Sequence, residues 1–352
     1  LFRHKVSTAI CMSRIQHLQL VLPQALTQLR LAEQAADSTF FNWLANGSRQ
    51  RLWQPDDLAH ARLDPWQHSL LYALPANLRA QGLASAKLHW RGEGGAWRGG
   101  TTLHAEFIHL AAGLDDLRMA IPPPPTVAEA TQLFASLQPL LSLAGFELLI
   151  SPAAAEKGYL YCERELELIT YSPRAGFATR IYDIMPQGAG GAELRRLMTE
   201  VQMLLHEHPV NQQRARRGVP ALNALWFWGA SQLNLIAEQA AQRVLGDHAY
   251  VRGLCEHLHL ECWPLPADAQ SVLSVDADQQ LLVLPDAALS QLETNWLQPL
   301  QAALRRGDIK QLDVYADHWQ VSLRGGRWAH WRRAMGRRDL TRQKSTLADL
   351  LA

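Results

Sequence analysis

Residues 208–229 read HPVNQQRARRGVPALNALWFWG, and the organisation of the chain is most legible from this stretch outward. Ala221–Trp228 is apolar apart from Asn223 and runs into Gly229. That pattern predicts a strand buried on both faces, as in a parallel sheet. Trp226 and Trp228 fall on one side of such a strand and Phe227 on the other, so both faces would bury large rings. Upstream, Leu194, Leu197, Met198, Val201, Leu204 and Leu205 share one face of a helix over Glu193–His206. Pro209 is expected to stop it, because the residue before a proline, here His208, is biased out of helical geometry.

The same reading extends in both directions. Downstream, Leu281–Leu284 is a second buried strand. It feeds a helix carrying Leu289, Leu292, Trp296, Leu300 and Leu304 that closes near Gly307. Leu312–Tyr315 and Trp319–Leu323 predict a hairpin turning at Asp317-His318. Upstream, Ile15–Leu22 alternates as a strand, 24–36 and 66–81 have helical spacing, and Thr101–Leu110 is a strand with a turn at 113–116. Pro122–Pro125 must be extended and is the best linker candidate. Thr126 and Glu129 then have capping-box spacing ahead of a helix stripe that Pro139 should bend. Phe146–Ile150 and Tyr159–Cys162 are expected to pair. The expected division is an upstream extension over 1–11, disordered and preceding a natural start at Met12; an N-terminal α/β part over 12–121; the linker 122–125; an α/β part over 126–335 holding the tryptophan strand; and a basic tail over 336–352.

Composition narrows the function only by exclusion. The chain has 352 residues, 48% apolar and 19% charged, with a net charge of +1. Disorder throughout is excluded, and no global field would draw the whole protein onto nucleic acid or a membrane. No window of 18 uncharged apolar residues occurs, so no membrane-spanning helix is expected. Four cysteines are too few for a disulfide framework, so a reducing cytoplasm is the expected setting.

The order HPVN, Arg214, Gly218, Pro220, Asn223 and the WFWG ending resembles a stretch of the archaeal-type cofactor-independent phosphoglycerate mutases. It is more similar to a bacterial phosphoglycerate-mutase-like family, also described as regulator-of-pathogenicity-factors type. Residues 145–335 resemble that family throughout, and HAEFIHLAAGLDDL at 104–117 looks like its first-half signature. The resemblance implies an α/β fold with an alkaline-phosphatase-like core: a mostly parallel sheet flanked by helices, with a mixed α/β part at the N-terminus. In that superfamily two metal ions and a Ser or Thr nucleophile carry out phosphoryl transfer.

The donors that such a centre implies are mostly missing. Where an acidic ligand should follow the first strand, this chain has Leu20-Val21-Leu22-Pro23-Gln24. In place of an Asp and His cluster after the tryptophan strand there is only Pro285-Asp286-Ala287. Asp317 and His318 match the late Asp-His pair, but Trp319-Gln320 replaces the usual Thr-Pro. The leading expectation is therefore a phosphoglycerate-mutase-like protein of unassigned role, catalytically degenerate, acting in binding or regulation and needing no cofactor. The alternative is an active metal-dependent mutase or phosphotransferase using Mn or Zn, with Asp317 and His318 as ligands.

The motif itself admits two readings. It is architecture, with Asn211 and Asn223 satisfying loop backbone and Arg214 pairing a carboxylate; or His208, Asn211, Arg214, Asn223 and Gly229 form a pocket for a small phosphorylated ligand. Two further segments carry metal-donor side chains. Cys255, His257, His259 and Cys262 have no standard zinc spacing, and His104, Glu106 and His109 do not share one face of a strand. Finally, 324–344 holds seven Arg and one Lys against Asp339, interleaved with Trp328 and Trp331. A terminal helix docked by its tryptophans accounts for this, and nucleic acid is not the expected partner, though a basic-tailed nucleic-acid binder is a third function class.

Overall fold

The computed structural model describes residues 15–26, 38–54, 57–113, 117–174, 180–233, 243–275 and 278–326. The expected disordered extension and Met12 start, most of the 24–36 helix, part of the 113–116 turn and nearly all of the basic C-terminal run lie outside the described residues.

In chain order the main elements are β1 (Ile15–Val21), α1 (Thr39–Asn46), β2 (Ser48–Arg51), α2 (Pro65–Ala73), α3 (Ser85–Gly92), β3 (Thr101–Ala112), β4 (Leu117–Ala120) and α4 (Val127–Leu143). There follow β5 (Glu147–Ile150), β6 (Gly158–Cys162), α5 (Gly191–His206), α6 (Pro209–Arg216), β7 (Ala224–Trp228), β8 (Arg243–Leu245), α7 (Ala249–His257) and β9 (Glu261–Trp263). The last are α8 (Ala269–Leu273), β10 (Gln279–Val283), a composite α9, β11 (Ile309–Ala316) and β12 (Trp319–Arg324). Helix α9 runs from Leu289–Leu292 through a π turn, Glu293–Leu297, into Gln298–Arg306.

The chain forms two compact units interleaved in sequence: residues 1–50, 242–245 and 263–352 make one, and 51–241 with 246–262 the other. The first is built on a seven-stranded sheet in the order β2-β12-β11-β1-β10-β8-β9. β1 is central because it is paired in parallel on both sides, with Leu20 opposite Leu282 of β10 and Val314 of β11. β8 extends the parallel run beyond β10. The β10–α9–β11 path is the helical crossover that parallel neighbours need. Gly307 ends α9 at φ 88, a left-handed cap that a side chain would disfavour. β12 folds back antiparallel on β11 as expected, the turn held by Asp317 at φ 46. Helix and strand side chains such as Leu20, Leu282, Trp296, Leu300 and Val314 form one continuous core.

The second unit holds a five-stranded antiparallel sheet. β3 pairs β6 along one edge, and on the other pairs β7 over His104–Ile108 and β4 over His109–Ala112; β5 adds to β6. This corrects the expected parallel setting of the tryptophan strand. All five residues of β7 are buried, but burial on both faces reports layers above and below and says nothing of strand direction. Helix α5 packs against β7, and α4 against β5. The Thr126–Glu129 capping box is present, with the Thr126 hydroxyl accepting from the Glu129 N–H at 3.2 Å and the Glu129 carboxylate from the Thr126 N–H at 3.0 Å. Pro122–Pro125 leads into α4 inside this unit. Pro209 does not merely stop α5: it occupies the first turn of α6, where its missing N–H costs nothing.

Candidate functional site

The polar residues of 208–223 are held by internal hydrogen bonds. His208 caps α6, its Nδ1 accepting from the Val210 N–H at 3.2 Å, while Nε2 meets the Ser136 hydroxyl at 2.9 Å. Burial keeps this imidazole below its ordinary pKa. Asn211 clamps the start of the strand segment: its amide donates to the Leu205 and Leu222 carbonyls at 2.8 and 3.0 Å, and its oxygen accepts from the Leu222 N–H at 2.8 Å. Asn223 bridges to β3 in the same way, exchanging two 2.8 Å bonds with the backbone of Leu110.

Arg214 is 2% exposed. Nε donates to the Pro220 carbonyl at 2.9 Å, Nη1 to Glu129 at 3.0 Å and Nη2 to the Pro123 carbonyl at 2.7 Å. Glu129 also receives Arg217. Burial raises the Glu129 pKa, but the Thr126 N–H and the two guanidinium groups outweigh it and leave the carboxyl lowered. One arginine thus fastens the proline run, the first turn of α4 and the loop before β7.

The five motif residues do not converge. His208, Asn211 and Arg214 share the α6 region, whereas Asn223 and Gly229 stand at opposite ends of β7, about 20 Å apart at ~3.3 Å per residue. Asn223 also lines a shallow open groove of about 340 Å³ with Gln202, Met203, His206 and Glu207.

At the Gly229 end a second cluster gathers, most of which the sequence did not signal. Gly229 has φ 79, and its carbonyl accepts from the Ala86 N–H at 3.1 Å. A Cβ there would lie 2.9 Å from His104 Cδ2 and 3.2 Å from Ser85 Cβ, so only glycine permits the approach. The Ser85 hydroxyl, in the first turn of α3, receives the Gln67 amide at 3.2 Å and shares a 3.2 Å bond with His104 Nε2. His89 Nδ1 donates to the Ser85 carbonyl at 3.1 Å. His104 stacks on Trp228 with ring centroids 4.4 Å apart, and His89 meets His104 edge-on at 4.7 Å. Burial is the main cause that pushes both imidazoles down, His89 to about 3 and His104 well below its ordinary value, so both are neutral. On the outer side Glu106 accepts from Trp228 Nε1 at 3.3 Å and pairs with Arg174 at 3.0 Å. Arg174 also faces Asp64 at 3.6 Å, and Asp64 accepts the Ser172 hydroxyl. His104, Glu106 and Gly229 are legible in the sequence as candidates, and the four-residue Ser85–His89 spacing on a helix is the signal for the remaining pair.

This end of β7 thus sets one guanidinium between two carboxylates beside two neutral histidines. His109, as its strand parity implied, turns away and bonds the Ala221 carbonyl at 2.9 Å.

The candidates implied by resemblance lie in the other unit. β10 and β11 are both parallel to β1, so the turns after all three strands emerge at one sheet end. There Gln24 donates its amide to Asp286 at 2.6 Å, and Asp317 accepts from the Leu26 N–H at 3.3 Å, with His318 buried beside it. Sequence-distant turns therefore do meet, but Gln24 presents an amide donor to Asp286. Among the described residues no group of three or more His, Cys, Asp or Glu side chains is arranged to hold a metal ion, the Cys255–Cys262 segment included. Among the described residues, Gln24, Asp286, Asp317 and His318 supply fewer ligating groups than a two-metal centre takes.

No family model matches the chain, and no curated protein does. Among solved structures, a cofactor-independent phosphoglycerate mutase from Thermoplasma acidophilum aligns over 88% of this chain and 90% of its own, at 16% identity and a TM-score of 0.37. A protein from Pyrococcus horikoshii aligns over 89% and 88%, at 13% identity and a TM-score of 0.41. The α/β class of this chain rests on its own strand order: a mostly parallel sheet with packed helices in one unit and an antiparallel sheet with packed helices in the other. Among the described residues no helix is long and apolar enough to cross a membrane.

Proposed function

We propose that this chain is a phosphoglycerate-mutase-like protein with an alkaline-phosphatase-like core that acts by binding or regulation and does not transfer phosphoryl groups. The resemblance carried by 208–229 supports the kind of protein, and with it a bacterial, cytoplasmic setting. The observation that carries the loss of catalysis is the Gln24–Asp286 hydrogen bond at the sheet end. A divalent-ion centre needs anionic oxygens and imidazoles converging there. Here the turn after β1 supplies an amide that donates to Asp286, and Asp317 is engaged by a backbone N–H. The ligand class to try first is a small phosphorylated acid, because that is what the resemblance implies.

The test is a mutase assay in both directions with Mn²⁺ or Zn²⁺ supplied, alongside metal analysis of the purified chain and calorimetry with 3-phosphoglycerate. No turnover and substoichiometric metal are expected. Metal-dependent turnover that disappears in Asp317→Ala or His318→Ala would establish the catalytic alternative.

A further inference from the structure

The cysteines of the CEHLHLEC segment, 255–262, belong to neither cluster described above. Cys255 is in the last turns of α7 and is buried, at 1% exposure; Cys262 is in β9 and exposed. The chain returns sharply between them. Leu258 N–H bonds the Leu254 carbonyl at 2.9 Å, His259 takes a left-handed φ of 54, and Leu260 N–H closes on the Cys255 carbonyl at 2.8 Å. This reversal sets the two side chains against each other, and their thiols hydrogen-bond. The geometry points to a reversible dithiol–disulfide site, in which Cys262 is the peroxide-reactive thiol and Cys255 the resolving thiol.

The environments divide the roles. The hydrogen bond from Cys255 is the main cause that lowers the Cys262 pKa; partial burial opposes it and Arg252 assists. Cys255 is raised, first by donating to Cys262 and then by burial. A more acidic, accessible thiol beside a buried neutral one is the arrangement of redox-responsive cysteines. The oxidant is a hydroperoxide. The Cys262 thiolate attacks the distal oxygen, the O–O bond breaks, and the alkoxide or hydroxide leaves and takes a solvent proton, giving Cys262 sulfenic acid. The Cys255 sulfur then displaces that hydroxyl, its own proton leaving in the water formed. A dithiol reductant restores both thiols. Transient disulfides of this kind occur in reducing compartments. Both cysteines lie in the second unit, where α7 packs closely on α3: a Cβ at Gly253 would come within 1.9 Å of the Leu88 carbonyl oxygen.

The experiment exposes the full chain to hydrogen peroxide, blocks remaining thiols, and maps linkages by peptide mass spectrometry under non-reducing conditions. The expected product is an intramolecular Cys255–Cys262 link, reversed by dithiothreitol, with Cys162 still blocked as a free thiol. In Cys255→Ser, Cys262 should be trapped by dimedone at least tenfold faster than Cys162. In Cys262→Ser, Cys255 should take no dimedone. Far-UV circular dichroism shows that each variant is folded. Failure of the folded wild-type chain to form the link, pairing of Cys262 with Cys11 instead, or equal trapping of Cys162 and Cys262 in the Cys255→Ser variant would each overturn the assignment.

Discussion

Arg214→Ala separates the two readings of the 208–229 motif. The substitution withdraws donors from the Pro123 and Pro220 carbonyls and from one oxygen of Glu129. Glu129 is not left alone, because Arg217 and the Thr126 N–H still reach it. Removing one partner of a buried ion pair costs roughly 3–5 kcal/mol. Each buried carbonyl left without a donor costs about 1–3 kcal/mol, but the local loop can admit water, so these terms overlap with the first. A loss of about 4 kcal/mol follows, and with a urea dependence of about 3 kcal/mol per molar the midpoint falls by ~1.3 M. Arg214→Lys keeps the charge but not the three-way fork, and about half the loss is expected. The assay is urea unfolding followed by tryptophan fluorescence, since Trp226 and Trp228 are buried in the same unit. Calorimetry with inorganic phosphate and 3-phosphoglycerate runs beside it. A loss below about 1 kcal/mol in the alanine variant refutes the structural argument. Full stability with phosphate binding abolished would transfer Arg214 to an anion pocket.

Further expectations follow from the same geometry. Gly229→Ala places a methyl 2.9 Å from His104 in a left-handed backbone at φ 79, and should cost about 2–3 kcal/mol by thermal denaturation; an unchanged midpoint would mean the strand end is not tightly apposed to α3. His68 is held neutral mainly by burial, reinforced by the His60 and Arg62 charges, with its pKa down to about 3. The folded chain therefore binds fewer protons than the unfolded chain between about 3 and 6.5, and stability drops as pH falls through that window, by at most about 1.4 kcal/mol per pH unit for this residue. His68→Phe should flatten the acid limb of a stability–pH profile; an identical slope would show that His68 does not supply it. Glu129 acts in the same direction at lower pH: its lowered pKa gives stability above the ordinary carboxyl value of 4.5 that is lost as acid protonates it, so Glu129→Gln should be destabilised at pH 7 and lose less on acidification to pH 3.

Local pattern determined much of this protein. The alternation at Ile15–Leu22, the helix stripe at Glu193–His206, the capping box at Thr126 and Glu129 and the Asp317-His318 turn are short-range matters of periodicity and backbone chemistry, and each lies where the sequence puts it. The poverty of acidic ligands after β1 was equally plain, since a glutamine in place of a carboxylate is a fact of composition. Tertiary structure alone decided the rest. The direction of β7 depends on its pairing with β3, roughly 120 residues away, and a uniformly apolar strand carries no mark of its neighbour's direction. The separation of Asn223 from Gly229, the meeting of Ser85 and His89 with His104 under Gly229, and the closure of Gln24 on Asp286 arise where segments far apart in sequence pack together. Hydrophobic periodicity tells each segment which side to bury; it does not name the partner that will cover it.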